Sequence, residues 1–184
     1  MSMRLVVVLF ALALPQFSAG LLARPVHSRA EQEESPAERQ YREDYDRVQK
    51  IMAVTDPARR SEQLFGFLKA RPDSRMAEYA QGNFFVALEA LQKAESFKTL
   101  LGLSQRYIEL RPKVPETYYF YGAALRSENR LNDAMDALAR CTVVRNPMSR
   151  KAREFLEFVY KSQSKGTLIG LDKILKKAQA EMAQ

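Results

Sequence analysis

Histidine and cysteine are almost missing from this chain, which has one of each, His27 and Cys141, in 184 residues. A lone cysteine makes no intramolecular disulfide, so the fold must hold by packing alone. Cys141 sits in a helical pattern with no histidine nearby, which reads as a small buried apolar side chain rather than a reactive thiol. His27 falls in a charged segment with no apolar face, where neither a metal-ligand set nor a proton-transfer geometry can be held. Beyond it there is no histidine, which excludes histidine-based triads, most catalytic zinc sites and histidine general bases. Tryptophan is absent, Gly (7) and Pro (8) are few, and no glycine loop of the phosphate-binding kind occurs. Glu89 and Glu95 are acidic but six residues apart, a spacing that gives them no reason to converge as an acid/base pair. The chain is therefore read as a non-enzyme with no catalytic residue, no metal site and no cofactor.

What is present points to helix. Apolar residues make up 46% and charged residues 28%, a balance that suits a soluble all-α domain. Lys+Arg number 29 against 22 Asp+Glu, a net of +7, which favours acidic partners, anionic lipid or a polyanionic wall polymer. Nucleic acid is not expected as a partner, because the N-terminus reads as an export signal. Met1 to Arg4 gives a short positive start, Leu5 to Leu14 is an unbroken apolar run, and Pro15 leads into Ser18, Ala19 and Gly20. Cleavage after Gly20 and cleavage after Ala23 both meet the small-residue requirement. The rival is an uncleaved anchor, since Leu5 to Ala23 is just long enough to span a bilayer, although Pro15, Gln16 and Ser18 interrupt its far half. No cysteine lies at the junction, which rules out a lipoprotein anchor. The chain thus divides into a signal peptide or signal anchor at 1–23, a flexible linker at 24–37 and a folded region at 38–184. The expected location is exported, either periplasmic or secreted, or membrane-tethered if the first segment stays.

Pro57, Pro72, Pro112 and Pro147 mark junctions, because proline neither continues a helix interior nor tolerates helical backbone before it. Between them the pattern predicts helices over 38–53, 57–70, 74–94, 97–110, 115–128, 131–144, 149–163 and 167–182, paired antiparallel into four hairpins. A period near 34 residues emerges from Pro115. Counting Pro115 as first, Tyr118 is fourth, Tyr121 seventh, Gly122 eighth, Leu125 eleventh, Ala134 twentieth, Leu138 twenty-fourth and Cys141 twenty-seventh. Gly122 and Ala134 lack bulk where two helices approach, and the large neighbours interdigitate around them. From Gln81 to Pro112 the plan returns with Phe84, Ala87, Leu88, Leu91, Phe97 and Leu100. Tyr41 to Ser74 and Ser149 to Met182 share the hairpin rhythm with few signature residues.

These positions resemble the tetratricopeptide repeat. The resemblance implies antiparallel helix pairs stacked as a short right-handed solenoid, acting as a scaffold that takes a peptide or partner helix in its concave groove. Its inner-face positions fall on Glu116, Tyr119, Ala123, Arg126 and Ser127, upstream on Gly82, Phe85, Glu89, Gln92 and Lys93, and downstream on Arg150, Arg153, Glu157, Tyr160 and Lys161. The candidate partner-binding residues are Phe85, Glu89, Gln92, Tyr119, Arg126, Arg153 and Tyr160, aromatic and guanidinium groups suited to peptide contact. The lysine/asparagine carboxylate clamp of some family members is not reproduced. From Arg140 onward there are 10 Lys+Arg against 4 Asp+Glu, a net of +6. The last helix sets Leu168, Leu171, Leu175, Ala178 and Met182 on one stripe and Lys173, Lys176 and Lys177 off it. That helix either caps the array or meets anionic lipid or a partner helix. A bacterial envelope adaptor is the expectation, and a structural subunit of an envelope complex is its alternative.

Overall fold

The computed structural model describes residues 34–183, so the expected signal segment and most of the linker lie outside the described residues. Those residues form eight α-helices and no strand: α1 (Pro36–Met52), α2 (Pro57–Ala70), α3 (Ala77–Lys93), α4 (Phe97–Leu110), α5 (Pro115–Ser127), α6 (Leu131–Val143), α7 (Ser149–Gln163) and α8 (Leu171–Ala183). None of the described helices is long and apolar enough to cross a membrane.

Local chemistry sets the ends. α1 begins two residues before its expected start because Ser35 and Glu38 form a capping box. The Glu38 N–H donates to Ser35 Oγ at 3.2 Å and the Ser35 N–H to Glu38 Oε2 at 3.0 Å, with Pro36 in the first turn, where its missing N–H costs nothing. Asp56 caps α2 through the Arg59 N–H at 2.7 Å. α3 starts at Ala77 rather than 74, since Ser74 to Met76 close a turn in which Ser74 Oγ accepts from the Met76 N–H at 3.1 Å. α8 starts at Leu171 rather than 167 because Gly166 and Gly170 take φ of +81° and +94°, outside the helical range.

Three helices end alike. Glu95, Asn129 and Lys165 adopt left-handed φ of 54°, 58° and 52°. In each, the next N–H reaches back five residues: Ser96 to Leu91 O, Arg130 to Leu125 O and Gly166 to Lys161 O, all at 2.9 Å. This closure satisfies carbonyls that a helix end otherwise leaves orphaned. The first two turns are 34 positions apart and the third follows 36 positions later.

Each of α1 to α6 packs on its successor, and α2 meets α4, α3 meets α5 and α6 meets α8. The even-numbered helices are cross-tied by Arg106–Glu62 at 2.8 Å between α4 and α2, and by Arg140–Glu181 (2.8 Å) and Lys177–Asp136 (2.9 Å) between α6 and α8. α8 packs chiefly on α6 rather than pairing with α7. The core has two lobes. One holds Val48, Leu64, Phe67, Phe84, Leu88, Leu100 and Tyr107 with Phe120 and Ala124 of α5; the other holds Leu138, Cys141, Leu156 and Val159 with Tyr118 and Leu125 of α5. Gly122 marks the tightest crossing: a Cβ there would lie 2.8 Å from Leu138 Cγ and 3.2 Å from the Ala134 carbonyl oxygen. The sequence-based pairing of Gly122 with Ala134 is therefore present as backbone contact.

Candidate functional site

Tyr119 and Arg126 are seven residues apart on α5, two turns along one face. From α7 come Phe155 and Phe158, also neighbours on one face. The Tyr119 ring meets Phe155 edge-on at 6.4 Å, and the Arg126 guanidinium carbon lies 5.5 Å from the Phe155 ring centre and 5.2 Å from that of Phe158. Arg126 is exposed and, among the described residues, has no carboxylate partner. Stacking on two rings restricts its side chain while leaving the N–H fork able to donate outward.

The aromatic row continues toward α3. Tyr119 contacts Phe120 at 5.3 Å, and Phe120 stacks with Phe85 at 6.2 Å. Phe85 also touches Phe84 at 6.0 Å and Tyr107 at 5.9 Å, so much of its ring serves the first core lobe. Tyr119 and Arg126 thus meet the same α7 ring, while Phe85 is joined to Tyr119 only through the buried Phe120 of the first core lobe.

The other candidates are placed differently. Glu89 pairs with Lys93 at 3.2 Å along α3, and Arg153 pairs with Glu157 at 2.5 Å along α7. Gln92 is half-buried one turn beyond Glu89. Tyr160 turns to the α7–α8 connection, where its hydroxyl donates to the Ile169 carbonyl at 2.5 Å. Among the described residues no group of three or more His, Cys, Asp or Glu is placed to hold a metal ion. A recess of about 320 Å³ bounded by Pro112, Tyr118, Arg140 and Met182 includes none of the seven candidates, and its Arg140 is already paired with Glu181.

The exposed large apolar side chains are unevenly distributed. Those on helices are Tyr41 and Tyr45 of α1, Tyr79 and Val86 of α3, and Phe158 of α7; the even-numbered helices carry none. Arg75, at the entry to α3, lies 5.9 Å from the Tyr41 ring, joining α1 to this series. Sequence reasoning missed Phe155 and Phe158. Their signal was present, since Ala152, Leu156 and Val159 mark the buried stripe of α7 and both phenylalanines fall beside it. No family model, curated protein or solved structure gives a match to this chain.

Proposed function

We propose that this protein is a tetratricopeptide-like scaffold of the bacterial envelope whose odd-numbered helices bind a peptide or helix of a protein partner. The observation that carries the reading is the placement of every exposed large apolar helical side chain on α1, α3 and α7, together with an Arg126 that has no carboxylate partner among the described residues and stacks on Phe155 and Phe158. Apolar side chains left in water on one set of helices mark a contact surface rather than an accident of composition. Aromatic groups with a held guanidinium supply area and directed hydrogen bonds together, the combination found at binding hot spots. The 34-residue recurrence of turn geometry and the Gly122–Ala134 crossing support stacked hairpins as the frame. Export follows in this reading from the N-terminal charge, apolar run and small residues.

Site-specific photo-crosslinking in cells tests it. A crosslinking residue at Val86, Arg126 or Phe158 of the full chain should capture one recurring protein, and the same residue at Gln63 of α2 or Gln105 of α4 should not. Arg126→Ala should weaken recovery of that protein tenfold or more, on the order of 1.4–2 kcal/mol. Equal capture from both sets of helices would remove the odd-helix surface from consideration.

A further inference from the structure

The connection between α7 and α8 presents apolar side chains to water in a fixed conformation. Ile169 is 84% exposed and Leu168 36%, and no described large apolar side chain is more exposed than Ile169. The loop is built. Lys165 and Gly166 take left-handed backbone, Gly170 has φ +94°, the Thr167 hydroxyl donates to Ser164 O at 3.1 Å and the Tyr160 hydroxyl holds the Ile169 carbonyl at 2.5 Å. A side chain at position 170 would be strained by the left-handed backbone, and its Cβ would come 2.8 Å from Tyr160 Oη and push that hydroxyl aside.

Charge surrounds this tip. Residues 161–176 contain Lys161, Lys165, Lys173 and Lys176 against one acid, Asp172. None of the four lysines makes an ion pair with a described residue, whereas Lys177 is held by Asp136. Lys165 and Lys173 each lie four residues from Ile169, and Lys161 adjoins the tethering Tyr160. The last helix itself is not free to meet lipid in the way its stripe suggests from sequence. Leu171 and Ala178 are buried in the second core lobe, with Leu175 and Met182 packed against it. Only Leu168, from the sequence stripe, remains with Ile169 outside.

We propose that this tip docks on an anionic lipid bilayer, with Leu168 and Ile169 entering the headgroup region and Lys161, Lys165 and Lys173 meeting lipid phosphates. Exposed lysines close in sequence to two apolar side chains, without an ion pair among the described residues, suit lipid better than protein. Lysine is depleted where protein interfaces are fully desolvated, while its long stem lies readily along a bilayer with the ammonium in the headgroups. Basic residues near such a surface each add attraction, and a small apolar insertion adds to it. The inference stands apart from the odd-helix surface, since it uses different residues and a different ligand.

Because the natural chain has no tryptophan, Ile169→Trp in the full protein gives a single reporter at the tip. With vesicles of phosphatidylcholine containing phosphatidylserine, its emission should shift to shorter wavelength and be quenched by brominated lipid. With phosphatidylcholine alone the response should be at least tenfold weaker. A Tyr79→Trp chain should remain water-exposed on the same vesicles. Replacing Lys161, Lys165 and Lys173 together with Gln should reduce vesicle affinity on the order of a hundredfold. The proposal is overturned if the protein reaches vesicles while the reporter of the Ile169→Trp chain stays in water, which would assign binding to the apolar N-terminal run. It is equally overturned if the response ignores phosphatidylserine, or if the shift appears without vesicles and grows with protein concentration, the sign of a protein contact at the tip.

Discussion

Thr117 is fully buried, and its hydroxyl oxygen has no hydrogen-bond partner among the described residues. A buried hydroxyl without a partner has lost water and gained nothing in exchange. Thr117→Val keeps the branched shape and removes that loss, so it should stabilise the domain by up to about 1 kcal/mol, raising the thermal midpoint about 2–4 °C. A lowered midpoint would show that the oxygen is satisfied after all. Cys141 and Tyr107 are buried and titratable. Burial pushes the Cys141 thiol from its ordinary 9.0 up to about 12 and the Tyr107 phenol from 10.0 to about 12. Both groups are neutral when protonated, and the folded state disfavours losing the proton. Their contribution is therefore intact below pH 9 and is lost progressively between pH 9 and about 12. Urea midpoints measured across that range should fall, and Cys141→Ala should make the fall shallower. At pH 8 the folded protein should react with a thiol reagent far more slowly than the unfolded chain.

Glycine has opposite meanings in two helices. In α5, Gly122→Ala forces a Cβ to within 2.8 Å of Leu138 and close to the Ala134 carbonyl, an overpacking of about 1–3 kcal/mol that the better helix propensity of alanine only partly offsets. In α4, Gly102 is exposed and a Cβ there would meet nothing within 4 Å, so Gly102→Ala should stabilise by about 0.5–1 kcal/mol. Comparing the two denaturation curves tests the crossing directly, and a stabilised Gly122→Ala would refute it. The same element shows why so much was legible. Prolines at 57 and 115 sit where helices begin, and Gly122 with Ala134 identifies the close contact without any knowledge of neighbours. Partners from other helices were not legible. Periodicity tells which face Phe85 occupies, but not that Tyr107 of α4 and Phe120 of α5 pack on it. Nor does it show that Tyr160 serves a loop nine residues on, because that loop depends on left-handed backbone at Lys165, Gly166 and Gly170.

Across the whole molecule, α8 closes the second lobe. Leu171 and Ala178 are buried there, and Arg140 and Asp136 of α6 are paired to Glu181 and Lys177. Ending the chain at residue 170 should cost a few kcal/mol from the re-exposed apolar surface, with the exposed ion pairs adding little. The shortened protein should melt earlier and bind a hydrophobic dye. Unchanged melting would mean that the last helix is an appendage.

A more general consequence comes from α5, whose Phe120 and Ala124 complete one lobe while Tyr118 and Leu125 complete the other. Neither half keeps its interior if that rod detaches, so heat should dismantle them in a single calorimetric peak with equal van't Hoff and measured enthalpies.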